Sequence, residues 1–406
     1  MADIISKTLL LAGVATVAAK STVSYCIRGP RCAKWPLMFQ VRRDVMHKVM
    51  AAKHKHATDA DIEEIDFDLM ARVNKQWDIP TSKLPADMGA FRPSSIGVDS
   101  ISIDPDVFAG AGPAEAGLRA LTAQDHVNRD RQIPYEIVAP ISMLHGDGDK
   151  ERAFECTPVD DSENIILYLH GGGYKYGSPA SHRGVTGRLS GLSGLRCVSL
   201  DYRLAPLNPY PAQLHDAYLA FAYLLQQGFK PQNIVLAGDS AGGNLALVLL
   251  LLLRHTGVTR TVCGLVLISP WVDLVSNRSS MSRNARYDYL TGPPLQSPLS
   301  LARVFYAPGR RYSQALFDEM SHPLVSPVNG DFADFPPTLI QAGEKEVLVD
   351  DITQLHENLL RDNSPERHGS FTYESYADMV HVFHQFTELA DGLAAFASAA
   401  KFIKGL

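Results

Sequence analysis

Asn233-Ile234-Val235-Leu236-Ala237-Gly238-Asp239-Ser240-Ala241-Gly242-Gly243 runs straight into Asn244–Leu253 (NLALVLLLLL), so a short apolar strand pattern passes into a helix pattern through a single tight turn. In such a strand–turn–helix unit the residue at the bend, Ser240, projects from the edge of a sheet. Glycines at 238, 242 and 243 let neighbouring backbone come close. The start of the helix places a partial positive charge beside the hydroxyl. The ten residues 244–253 are apolar on every face, as in a buried core helix, and far short of the ~20 that span a bilayer.

Outward from this unit, short apolar or β-branched runs alternate with helix patterns. The runs are Pro134–Ala139, Ile165–Leu169, Arg196–Leu200, Ile234–Ala237, Gly264–Ile268, Thr338–Gln341 and Phe371–Ser375; helices are predicted over Gln213–Gln227, Gly243–His255 and Val349–Arg361. Alternation of this kind predicts an α/β fold with a mostly parallel sheet covered by helices on both faces. Trp271–Phe335 is rich in Pro, Ser, Arg and Tyr, shows no strand pattern, and reads as an insertion that joins residues 1–130 in a cap over the sheet's C-terminal edge. Residues 28–130 mix short helical patterns with breakers such as Gly29-Pro30, Arg92-Pro93 and Ala109–Pro113. Lys34–His56 has Leu37, Val41, Val45 and Val49 on one face among basic residues, an amphipathic basic helix read as packing onto the rest of the protein. No internal repeat is present. The expected organisation is thus 1–27 as a signal anchor or N-terminal helix, 28–130 as an N-terminal cap region, and 131–406 as the core with its insertion at about 271–335.

A second motif, His170-Gly171-Gly172-Gly173, directly follows the strand run Ile165–Leu169. Attack of a serine on an ester carbonyl creates an oxyanion that needs preorganised N–H donors, and side chains on the donor loop would block close approach. A phosphate cradle is the wrong reading, since neither G-x-G-x-x-G nor G-x-x-x-x-G-K-[ST] is present. His170 itself reads as a residue that fixes the loop.

Together, HGGG at 170–173, Asp201-Tyr202-Arg203-Leu204-Ala205-Pro206, GDSAGG at 238–243 and the Gly343–Asp351 segment resemble the hormone-sensitive-lipase-like family of α/β-hydrolases. The resemblance spans roughly residues 134–390. It implies the α/β-hydrolase fold, a mostly parallel central sheet with helices on both faces and a helical cap, and carboxylester hydrolysis without cofactor or metal. Carried over residue by residue, Ser240 is the nucleophile, the backbone N–H groups of Gly172, Gly173 and Ala241 form the oxyanion hole, and His170, Gly171, Gly238, Asp239 and Gly242 complete the two motifs. Similar enzymes carry Asp where this chain has Glu346, a carboxylate that can still hold an imidazole. Asp350 and Asp351, at the start of the next helix, are the rival acids and otherwise cap it. His381 occupies the His-x-Phe position as the base, with His384 its rival and the other histidines read as surface residues. Asp201 and Arg203 are expected in buried ion pairing below the site. Leu207, where similar proteins have Glu, is expected to act on local stability or cap contacts.

A cap above the nucleophile implies an enclosed, mostly apolar alcohol site, and hence short acyl (acetyl-like) esters of bulky hydrophobic alcohols. The long N-terminal part resembles that of fungal steryl-acetate hydrolases and hydrolases of fungal secondary metabolism. An acyltransferase using the same acyl-enzyme and a non-catalytic receptor for a hydrophobic ligand are the two alternative readings.

The whole chain bounds these readings. Its 406 residues are 46% hydrophobic and 20% charged, the balance of a globular protein. A net charge of −6 speaks against nucleic-acid binding, which needs clustered Lys and Arg. Five scattered cysteines contain no Cys-x-x-Cys pair and read as small apolar residues, with a Cys26–Cys32 bridge open in an oxidising compartment. Thr8–Ala19 is an uncharged run of 12 residues between Lys7 and Lys20. It fits a signal h-region or, with Lys20 snorkelling, an anchor over 8–27 that gives membrane association and an endoplasmic-reticulum or other membrane location; without it the chain is cytoplasmic. The sequon Asn277-Arg278-Ser279 is compatible with the lumenal side.

Overall fold

The strand runs at 165–169 and 264–268 offer no polar face, so helices must cover both sides of the sheet they form. The computed structural model describes residues 2–52, 78–145, 150–257, 262–290, 294–297, 300–386 and 389–406. Within them, β1 (Ala90–Gly97), β2 (Gln132–Ala139), β3 (Ile165–Leu169), β4 (Arg196–Leu200), β5 (Ile234–Asp239), β6 (Gly264–Ile268), β7 (Thr338–Gly343) and β8 (Phe371–Tyr376) form one sheet. Its order is β1-β2-β4-β3-β5-β6-β7-β8. The pairs β1–β2 and β2–β4 are antiparallel and all the others parallel. Alternate side chains of each central strand go to opposite faces. Leu167, Leu236 and Leu267 pack with the helices Ala212–Gln226, Ala241–His255 and Val349–Arg361. Ile166, Tyr168, Val235 and Val266 meet the helices Arg183–Ser193 and Ala390–Lys404 on the other side. Ser240 follows β5, near the middle of the sheet, at the carboxyl edge where open α/β sheets bind ligands.

Three departures from the sequence reading have physical causes. First, β1 lies inside the stretch 28–130 read as cap, so this part of it is sheet edge. Pro93 marked the stretch as broken, but an edge strand tolerates a residue without an N–H on its open side. Second, the helix Leu37–Ala52 buries Phe39, Gln40 and Arg43, with Trp35 just before it, whereas Leu37, Val41 and Val45 are only half-buried. The two large aromatics remove more apolar surface from water than the valine stripe does, and they set the rotation. Third, the Cys26–Cys32 bridge is not formed: Cys26 is exposed and Cys32 is buried in the cluster of Trp35 and Phe39. His54 and His56 lie outside the described residues.

The N-terminal run is part of one helix, Ala2–Arg28. Among the described residues no helix is long and apolar enough to cross a membrane. The insertion 271–335 holds the short helices Ser279–Arg283, Leu301–Tyr306 and Gln314–Met320 and, among its described residues, no strand.

Trp35 and Phe39 pack with Met379, Val380, Phe383 and Phe386, which flank His381 in sequence. Phe39 meets the Trp35 and Phe386 rings edge-on at 5.1 and 4.9 Å. Phe39→Ala should therefore lower the unfolding free energy by about 3–5 kcal/mol in urea titration, and a loss under ~1 kcal/mol would contradict this packing role.

Candidate active site

Ser240 sits at φ 51°, ψ −118°, a left-handed turn conformation unusual for a residue with a side chain. The turn closes so tightly that a Cβ on Gly242 would lie 1.9 Å from the Leu169 carbonyl oxygen. That contact also brings the end of β3, and thus the glycine loop, against the turn. Ala241 begins the helix Ala241–His255, so its N–H is among those without an intrahelical acceptor. Gly172 and Gly173 both have positive φ, and among the described residues neither N–H has an acceptor. All three predicted donors therefore lie on the two segments that flank Ser240.

The Ser240 hydroxyl lies 2.9 Å from His381 Nε2, and His381 Nδ1 lies 2.8 Å from Glu346 Oε2. Glu346 and His381 are buried, while Ser240 is 9% exposed. An ionised carboxylate only accepts hydrogen bonds, so Nδ1 carries the proton and the Nε2 lone pair faces the hydroxyl. Burial alone would pull the imidazole's pKa down; the hydrogen bond and charge of Glu346 outweigh it and raise it above its ordinary value. The other Glu346 oxygen accepts from the Gly343 N–H at 2.7 Å and the Ser269 hydroxyl at 3.2 Å. Ser269 also accepts from the Val382 N–H, next to His381. It stands directly after β6, and only its position at a strand end marked it in the sequence.

The rivals fall elsewhere. Asp351 accepts from Ser276 and pairs with Arg278, and Asp350 accepts from Ser279 and Ser280 and pairs with Arg283. Both carboxylates hold the insertion, so they do not cap their own helix. His384 is buried against Phe383 and Phe396 with Nε2 at Gln341, and burial pushes it down to about 3.

His170 stacks on Tyr202 with ring centroids 4.2 Å apart, and burial pushes its pKa down to about 3. The Gly171 N–H and the Tyr168 hydroxyl both donate to Asp239, at 2.9 and 2.6 Å. His182 Nε2 lies 3.5 Å from the same carboxylate. Burial would raise Asp239, but the imidazolium of His182 with these donors holds it down at about 2. Reciprocally, His182 is raised against its own burial. His182 and His215 are thus corrections to the surface reading: both are buried, His215 between Thr122 and Arg203. Arg203 pairs with Asp216 at 2.8 Å, which also binds Arg131, and not with Asp201; among the described residues Asp201 has no cationic partner. Asp216 wins because the helix Ala212–Gln226 sets it between two guanidinium groups. Leu207 is exposed.

The insertion covers the glycine loop. Tyr174 stacks on Phe305 at 3.9 Å, and its hydroxyl donates to Asn244, whose amide in turn donates to the Trp271 and Val325 carbonyls. Leu301 stands over Gly173. Among the described residues there is no group of His, Cys, Asp or Glu side chains able to hold a metal ion.

A serine held at a strand–helix turn, within reach of an imidazole that a carboxylate orients, is an arrangement able to accept an acyl group on the hydroxyl. The family profile described as "alpha/beta hydrolase fold" matches residues 166–385. An acetyl-hydrolase of Streptomyces hygroscopicus is 37% identical over 264 residues, 63% of this chain and 82% of that protein. An esterase/lipase from an uncultured bacterium has a solved structure with TM-score 0.62 at 25% identity, covering 90% of this chain and 96% of its own. An esterase of the bacterial hormone-sensitive lipase family gives TM-score 0.59 at 27% identity, with 90% and 96% covered. The chain belongs to the hormone-sensitive-lipase-like family of α/β-hydrolases and is a carboxylic ester hydrolase.

Asp239, beside Ser240, binds the glycine loop through Gly171 and the start of the helix Arg183–Ser193 through His182. The stability from Asp239's lowered pKa is present above its ordinary value and is lost as pH falls towards about 2. That from His182's raised pKa is present below its ordinary value and is lost as pH rises through the raised one. At pH 6 both hold, so His182→Gln should cost about 3–5 kcal/mol by leaving a buried carboxylate unpaired. A thermal melt at that pH checks it, and an unchanged Tm would contradict it.

Proposed function

We propose that Ser240, His381 and Glu346 are the catalytic residues of a serine carboxylesterase that works through an acyl-enzyme. The observation that carries the reading is the unbroken pair of contacts from hydroxyl to imidazole to carboxylate, at 2.9 and 2.8 Å. As Ser240 Oγ attacks the ester carbonyl, its proton passes to His381 Nε2, and Glu346 stabilises the imidazolium. The N–H groups of Gly172, Gly173 and Ala241 receive the developing oxyanion, each such donor contributing typically about 3–4 kcal/mol. Collapse expels the alcohol, which takes the proton from Nε2. Water then attacks the acyl-serine by the same route in reverse and releases the acid.

The proposed substrate is a short-chain, acetyl-like ester of a bulky hydrophobic alcohol. Leu301 close over Gly173 leaves little room beside the oxyanion donors, and the Tyr289 ring, 6.1 Å from that of His381, offers an apolar wall for the alcohol. The name of the acetyl-hydrolase relative agrees with a short acyl group. Across p-nitrophenyl esters, kcat/KM should fall by about tenfold or more from acetate to octanoate, the order expected when several methylenes find no pocket. A maximum at octanoate would contradict the short acyl site.

Ser240→Ala should abolish both turnover of p-nitrophenyl acetate and labelling by an organophosphonate; turnover that survives would reject the assignment. His381 must be neutral to accept the proton, so kcat/KM should rise with pH through the imidazole's raised pKa. Glu346→Gln removes the charge that raises it. The acid limb should then move to lower pH, with kcat down about 10⁴-fold as for the comparable carboxylate-to-amide change in a serine protease. An acid limb that stays in place would contradict the role of Glu346.

A further inference from the structure

The insertion does more than cover the site. Asp288, fully buried, accepts the Val347 N–H on Oδ2 at 2.8 Å and the His381 N–H on Oδ1 at 3.3 Å; Oδ1 also takes the Leu290 N–H. Four residues earlier, Asn284 Nδ2 donates to the Glu346 carbonyl at 2.8 Å and to the Glu344 carbonyl at 3.0 Å. The peptide group joining Glu346 to Val347 is therefore held at both its oxygen and its N–H by one short segment. That segment also grips the backbone of His381.

The segment is braced in turn from the helix Leu37–Ala52. The buried Arg43 guanidinium donates to the carbonyls of Arg286, Tyr287 and Asp288, the last at 3.1 Å, and His47 Nδ1 lies 2.9 Å from the Asp288 carbonyl. Three carbonyls converging on one guanidinium fix the backbone from which the Asp288 side chain projects. Two side chains that clamp the same peptide leave its carboxylate-bearing residue little freedom to drift from the imidazole.

We propose that Asp288 and Asn284 are positioning residues that set Glu346 against His381, with Arg43 as their brace; this rests on the reading of Ser240, His381 and Glu346 as the catalytic residues. Among the described residues Asp288 has no hydrogen bond to Ser240 or to the carboxylate of Glu346. It acts through the backbone of the two residues and through its charge. The groups facing it are Glu346 and His381 from the two loops, Tyr289 from its own segment, and Arg43 and His47 from the helix Leu37–Ala52. Burial pushes its carboxyl up to about 6, against the pull of His381. In its ionised form it adds to the field that raises the His381 imidazole.

Asp288→Asn in the full chain tests this, with active sites counted by organophosphonate labelling of Ser240 so that misfolded protein is not scored. Per active site, kcat for p-nitrophenyl acetate should fall by about tenfold or more, the order expected for a sub-ångström displacement of a catalytic group, with KM within about twofold. The acid limb of kcat/KM should also move to lower pH, a change that lost folding alone does not produce. Unchanged kcat per site, or an unmoved acid limb, overturns the proposal. If the variant does not fold, Arg43→Lys, which keeps the charge and loses the forked donors, should lower kcat per site with KM and the acid limb unmoved; unchanged kcat there also overturns it. Failure of the underlying reading is separate: it appears as wild-type turnover that persists in Ser240→Ala.

Discussion

The turn at Ser240 is the constraint from which the rest of the site follows. A non-glycine residue at φ 51° stores of order 1–3 kcal/mol and persists only where its surroundings over-determine it. Here the Ser240 N–H donates to the Ile268 carbonyl and its own carbonyl accepts from Trp271, both at 2.9 Å, so the start of the insertion and the end of β6 grip the turn together. Gly242 allows the turn to press against the end of β3. The hydroxyl, the helix N-terminus and the glycine loop are thereby fixed by one packing event in the centre of the sheet.

Around that turn, buried carboxylates of the same chemistry are driven in opposite directions. Asp239 receives two donors and an imidazolium and is held at about 2 as a permanent anion that anchors Gly171. Asp288 meets only backbone N–H groups at its oxygens and lies near Glu346; desolvation wins there and it rises to about 6. Asp351, half-satisfied by Ser276 and Arg278, rises to about 7. Burial is common to all three; at Asp239 the imidazolium and its donors overcome it, whereas Glu346 beside Asp288 and Asp273 beside Asp351 add to it. Distinct carboxylates thus hold the glycine loop (Asp239), contact the His381 imidazole (Glu346) and join the insertion to the core (Asp288, Asp350 and Asp351).

Much of this was legible because it is local. The strands 165–169, 196–200 and 264–268 were bounded to the residue; the first and third are unbroken apolar runs, and all three stop at a polar residue, His170, Asp201 or Ser269. Ser240 and the glycine loop lie in short motifs whose spacing carries their chemistry. Glu346 and His381 were expected from the family resemblance alone, and the structure sets both in line with Ser240. What escaped depends on distant pairing. β1 is a strand only because β2 accepts it, and the rotation of the helix Leu37–Ala52 follows from where Trp35 and Phe39 find a cleft beside His381. Asp288, Asn284 and Arg43 are polar residues in an irregular insertion and a basic helix, with no local pattern to separate them from solvated ones. Buried ionic partners such as His182 with Asp239, or Arg203 with Asp216, are likewise invisible until the fold supplies the neighbour.

Rapid quenching of the enzyme with p-nitrophenyl acetate, followed by mass analysis of the peptide that contains residue 240, tests the central claim most directly. An acetyl adduct on Ser240 that forms as fast as p-nitrophenolate appears, and decays as acetate is released, is the predicted result. Steady turnover with Ser240 unmodified at every time point, or an adduct on another residue, would contradict it.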